Sequence, residues 1–263
     1  MFRKLRKPFE DYRRVEATMD GLAVPVQDLP GGHERWVDRS MRWLLDEFGP
    51  EPLQQPIYLP AELPGPEFDG TEAAARSLSR VILRRFDVAP DRVDLQLGVL
   101  PRTRSATGTA LPGGEAAAGG RVPSGLWFRQ GDRVTVCISS GLMRDRALLV
   151  TVLAQAVGHE ALLGSGRVNG ARPDLASLTE LLAVFYGFGI FLANSSVVLL
   201  RHPDGRGKIP VAHGYLRAEA LAHALARYRI LRGEIRTPSW HRQLDFTMRM
   251  RMVGLVRALR EPR

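Results

Sequence analysis

The stretch Val152-Leu-Ala-Gln-Ala-Val-Gly-His-Glu-Ala-Leu-Leu-Gly164 decides how this chain is read. It is the end of an apolar run from Asp145 to Leu163 that Gly164 stops, which predicts a helix. A second apolar helix is predicted from Asp174, just after Pro173, to about Ser196. Overlapping it, Leu181 to Leu200 is twenty residues without a charge, about the length that crosses a bilayer. Asn194, Ser195 and Ser196 in a row, the glycines Gly187 and Gly189, and Glu180 at its head argue instead for a buried core helix, and no membrane span is expected. Inside such a helix Gly187 and Gly189 lack the preceding strand of a nucleotide loop and read as close helix packing.

Outward from this pair, Arg217 to Arg232 and Trp240 to Leu259 are helical in character. Upstream, helices are predicted over Glu34 to Phe48 and from the N-cap candidate Thr71 to Phe86. Val93-Asp-Leu-Gln-Leu97 alternates as a half-buried strand does. Leu126 to Gln130 and Arg133 to Ser139 flank Gly131-Asp132 as a hairpin. Pro50 to Pro66 reads as a surface loop or extended arm, and the Gly/Ala-rich segment from about 102 to 125 as a flexible loop. Early strands followed by a run of helices predict an α+β fold. The expected organisation is a basic leader, helix and proline-rich arm over 1–58, then one domain over 59–263.

Hydrophobic residues make up 44% of the 263, enough to bury a core. Lys plus Arg number 37 against 28 Asp plus Glu, a net charge of +9. The excess gathers at the ends, from Arg3 to Arg14 and from Arg227 to Arg263, as a solvated surface or a face for nucleic acid. The N-terminal stretch lacks the apolar core of a signal peptide, so a cytoplasmic address is expected. Cys137, the one cysteine, follows a strand-like run and reads as a small buried apolar residue.

His159-Glu160 invites comparison with the zinc motif His-Glu-x-x-His. On a helix, that spacing puts both imidazoles on one face, and the glutamate serves as base for the metal-bound water. Taking His159 as the second histidine puts Gln155 at the first and Ala156 at the base; taking it as the first makes Glu160 the base and leaves Leu163 at the second. Either register lacks a ligand. From about Leu59 to Leu244 the chain resembles an uncharacterised bacterial zincin-like family with that motif on its long helix and a glutamate followed by Pro-Leu-Thr-Asp on the next. The resemblance rests on Ala176-Ser-Leu-Thr-Glu180 and the apolar run to Asn194, on His213-Gly-Tyr-Leu216, His223-Ala-Leu-Ala226, Leu231-Arg-Gly-Glu234 and Pro238-Ser-Trp240, and upstream on Phe68-Asp-Gly-Thr71 and Val88 to Val93.

The resemblance implies a zincin-like fold, a small sheet packed on a bundle of helices, and it favours the first register. Gln155 and His159 then stand at the histidine positions, Ala156 at the base, Ala176 at the third-ligand glutamate and Glu180 at the family's aspartate. One imidazole cannot hold zinc, which takes about four ligands. The expectation is a degenerate metallopeptidase relative without catalysis or cofactor, retained to bind or scaffold a protein partner. Glu180 is read as a carboxylate that orients His159, Gln155 as part of a polar pocket, and Glu160 as a helix-surface carboxylate. Two alternatives stay open. One is a metal-dependent hydrolase, with zinc, rebuilt from His159, Glu160, Glu180 and His213 or His223. The other is a nucleic-acid-binding protein working through the Arg-rich ends. For Thr247 to Arg260, core packing with arginines on the rim is preferred over a membrane-surface helix.

Overall fold

Alternation of apolar residues builds the sheet. In the computed structural model, which describes residues 29–65, 67–98, 109–111, 125–130, 133–201 and 208–260, β1 (Val93–Gly98) runs parallel to β4 (Arg133–Ser139). Their register sets Val93 beside Val134, Leu95 beside Val136 and Leu97 beside Ile138, so the apolar positions of both strands share one face. β3 (Gly125–Gln130) pairs antiparallel with β4, as the hairpin pattern predicts. β2 (Thr109–Leu111) adds the fourth strand, in the order β1-β4-β3-β2. This strand lies inside the segment expected to be only a loop; three residues between glycine-rich flanks carry too little pattern to be seen in sequence. The rest of that loop, the hairpin's Gly131-Asp132 turn and the basic leader up to residue 28 lie outside the described residues. Cys137 is buried on β4.

The helices follow the predicted order. α1 (His33–Phe48), a short α2 (Glu51–Gln54) and α3 (Glu72–Arg85) precede the sheet. The Thr71 hydroxyl caps α3 by accepting from the Ala74 N–H at 3.2 Å. After it come α4 (Arg146–His159), α5 (Leu175–Ala183), α6 (Gly189–Asn194), α7 (Ala218–Leu231) and α8 (Phe246–Arg260). α4 continues through a π-helical turn at Glu160–Gly164, and a second such turn, Val184–Phe188, joins α5 to α6. α8 starts later than the predicted Trp240, because Ser239–Gln243 forms a separate 3-10 turn. Asn194 holds that break: its amide donates to Gln243 O at 2.7 Å and its carbonyl accepts from Asp245 N at 3.1 Å. A hairpin of β5 (Val197–Arg201) and β6 (Lys208–Ala212) had no sequence reading.

The fold is therefore α+β, with one apolar core running through all these elements. Arg146–Gly164 and Leu175–Asn194 are long and apolar enough to cross a membrane, but 83% and 94% of their apolar windows are buried inside the protein. They are core helices. The proline-rich segment is not an arm: Leu53, Ile57 and Leu63 are buried, the Tyr58 ring stacks on Phe188, and the Tyr58 N–H donates to Gly187 O. Trp36, Val37, Met41 and Leu44 of α1 join the same core.

Candidate functional site

The site is set where α4 crosses α5. Asp145 caps α4 by accepting from Leu148 N at 3.0 Å, and Leu148 to Glu160 is buried on every side. Gly158 permits the crossing, since a Cβ there would stand 3.0 Å from Thr179 Cγ2. That close approach brings Gln155 to Glu180 and His159 to Thr179.

Glu180 is almost wholly buried and held from two sides. Gln155 Nε2 donates to its Oε1 at 2.6 Å, and the backbone N–H of Leu216 donates to its Oε2 at 2.7 Å. The loop after β6 closes over it at Gly214, where φ is +100° and a Cβ would meet Glu180 Oε1 at 2.5 Å. This explains the local need for His213-Gly-Tyr-Leu216: glycine lets the backbone wrap the carboxylate. His213 itself is buried, with its N–H on Ser196 O at 2.8 Å.

His159 is fully buried, and burial holds its pKa down to about 4, so the ring is neutral. Its Nδ1 lies 3.4 Å from Thr179 Oγ1. The Thr179 hydroxyl spends its proton on Leu175 O at 2.9 Å, so in that long contact the imidazole is the donor. Nε2 is left with a lone pair and no partner. The Trp127 ring of β3 lies beside it, centroids 6.1 Å apart, and Trp127 Nε1 and Gln155 Oε1 are likewise buried without partners. Neither imidazole nitrogen bonds to Glu180. The expected pairing of Glu180 with His159 is replaced by the pairing with Gln155, one helical turn away.

Two further expectations are corrected. Glu160 is not a surface carboxylate: only 2% exposed, it faces the sheet and pairs with Arg129 of β3 at 2.9 Å and Arg92 at 3.3 Å. Burial pushes its pKa up while the two guanidiniums pull it back. Arg129 also donates to Gly164 O at 3.0 Å, so the trio ties the end of α4 to the sheet. His223 is on α7, where its Nε2 lies 2.6 Å from Asp38 Oδ1, beside Arg227 on the same carboxylate. Neither residue joins His159. Ala156 is fully buried and Ala176 half-buried, and neither offers a donor atom. Thr179, Gly214, Leu216 and Arg129 were not foreseen. Only the adjacency of Thr179 and Glu180 on one helix hinted at the first.

A cavity of about 580 Å³ opens beyond Glu160, lined among others by Arg85, Arg92, Arg167, Phe86 and Tyr186. It shares no lining residue with Gln155, His159 or Glu180. Set against protein-family models, curated proteins and solved structures, the chain matches none.

The donors do not fit a catalytic zinc. Among the described residues no group of three His, Cys, Asp or Glu side chains is placed to hold a metal ion. At the crossing His159 Nε2 and the weakly coordinating amide oxygen Gln155 Oε1 present free lone pairs, while the Glu180 oxygens already accept an amide and a backbone N–H.

Proposed function

We propose that this chain is a catalytically inactive, zincin-like protein that acts by binding rather than by hydrolysis. The observation that carries the reading is the Gln155–Glu180 hydrogen bond of 2.6 Å. An amide sits where the resemblance expects an imidazole, and it occupies the carboxylate a metal would need. Ala156, fully buried, offers nothing to accept a proton from a bound water. The unpartnered His159 Nε2, Trp127 Nε1 and Gln155 Oε1 support descent from a working polar site, because buried polar atoms without partners are otherwise costly, about 1–3 kcal/mol each.

The test is elemental analysis of protein purified without chelator, paired with a broad panel of peptide substrates. Far less than one zinc per chain, and no hydrolysis above a His159→Ala control, are expected. One tightly held zinc per chain, or turnover that His159→Ala abolishes, would refute the reading in favour of a rebuilt hydrolase.

A further inference from the structure

Among the residues whose side-chain exposure the structure describes, every large apolar side chain more than a third exposed lies between Leu231 and Met250. These are Leu231 at 37%, Ile235 at 82%, Phe246 at 49% and Met250 at 53%. Isolated exposed apolar residues need no explanation, but their confinement to one place does.

α8 supplies the geometry. Its inner stripe, Met248, Met252 and Val256, is buried against the core, as the preference for core packing expects. The opposite stripe carries Phe246, Met250 and Arg257, spaced so that they share a helix face. Fifteen residues make this face about 22 Å long. At its far end Arg260 donates to Ile235 O at 2.9 Å and Glu234 O at 2.6 Å, which places Ile235 beside the end of the same face.

The charge is one-sided. α8 carries Arg249, Arg251, Arg257 and Arg260 and no carboxylate. Arg251 is paired with Glu219 and Arg260 with backbone carbonyls. Arg249 lies over the Phe246 ring at 5.4 Å instead of on an acid. Among the described residues Arg236, Arg242, Arg249 and Arg257 have no carboxylate within ion-pair distance.

We infer that this face docks on an anionic lipid surface, with α8 lying flat in the headgroup layer. Phe246, Met250 and Ile235 enter the acyl boundary, and Arg236, Arg242, Arg249 and Arg257 meet lipid phosphates. Apolar knobs at both ends of an arginine row suit a bilayer. A nucleic-acid backbone would use the arginines but leave the knobs unburied. This is peripheral binding, compatible with the burial of both long apolar helices, and it does not depend on the metal-site reading.

The experiment is co-sedimentation of the full chain with vesicles of phosphatidylcholine alone and of equimolar phosphatidylcholine and phosphatidylglycerol. Binding to the anionic vesicles only, weakened by added salt, is expected. Arg249→Gln with Arg257→Gln should weaken it about twentyfold or more. Met250→Ser with Ile235→Ser should weaken it about tenfold. All four positions are at the surface, so the melting temperature should not move; were the Met250 variant to melt early, Ile235→Ser alone carries the test. Absence of sedimentation, equal sedimentation with neutral vesicles, or wild-type binding by both paired variants would overturn the proposal. So would retention on duplex DNA that exceeds vesicle binding and ignores the apolar substitutions, which would assign the face to nucleic acid.

Discussion

Gln155 and Glu180 show how a deeply buried carboxylate is held as a structural group. A carboxylate this buried survives only if its lone pairs are met, and here an amide and a backbone N–H meet them. Glu180→Leu should cost about 2–4 kcal/mol, since it strands the Gln155 amide and the Leu216 N–H as well as losing the bonds. Gln155→Leu should cost about 1–3 kcal/mol, because Glu180 keeps the Leu216 N–H. The two losses should not add. In urea unfolding of both single variants and the double, a coupling of about 1–2 kcal/mol is expected, the double being more stable than the sum predicts. Additivity within about 0.5 kcal/mol would mean the contact contributes little to stability. The sequence marked these positions as unlike the motif the resemblance expects, because glutamine and alanine stand where it has a histidine and a glutamate. It could not show what holds Glu180, because the Leu216 N–H comes from a backbone loop that leaves no trace in side-chain pattern.

At the scale of elements, the apolar run from Leu175 to Asn194 is two helices joined by a π turn. Gly187 makes the join with φ at +90°, which turns its carbonyl out to accept from Tyr58 N at 3.1 Å. Freed from the ladder in the same way, Tyr186 O accepts from Arg85 Nε at 2.9 Å. Arg85 also reaches Gln55 Oε1 and Pro56 O, so one buried guanidinium fastens the proline-rich segment to the kink. Gly187→Ala should cost about 1–3 kcal/mol, since the left-handed φ disfavours a side chain and its Cβ would stand 3.0 Å from Arg85 Nη2. Thermal unfolding of that variant against Gly189→Ala separates the causes: Gly189 has ordinary helical φ, and its Cβ would meet only side chains, Leu225 at 2.7 Å and Val184 at 3.2 Å. An equal loss at both positions would show that packing, and not backbone conformation, fixes the kink. Helices with an uninterrupted period, such as α1 and α3, and the alternating β1, were readable because each residue's face follows from its own spacing. The kink was not, since Tyr58 and Arg85, which fix it, are distant in sequence, and β2 was not, since three residues carry too little pattern.

Across the whole molecule, the buried ionisable groups set how stability responds to pH. His159 links α4, α5 and the sheet through Thr179 and Trp127, and burial lowers its pKa from 6.5 to about 4. The unfolded chain therefore takes a proton on His159 below about pH 6.5, while the folded protein refuses it until about pH 4. Stability from this residue is complete above the upper value and is lost as the pH falls through that window. Glu160 acts in the opposite sense. Its pKa is raised on folding, first by burial, so acidification relieves a cost that its ionised form carries at neutral pH. Its relief belongs at the acid end of the range, whereas the His159 loss starts near neutrality. Between about pH 7.5 and 5 the protein should lose about 2 kcal/mol through His159. Replacing the ring by one that cannot titrate, His159→Phe, should flatten that slope while keeping the contact with Trp127. Unfolding midpoints in urea, measured across the range for both proteins, decide it. If the variant's curve stays parallel to the parent's, His159 is not the group that governs the response, and its neutral, unpartnered Nε2 would have to be reconsidered.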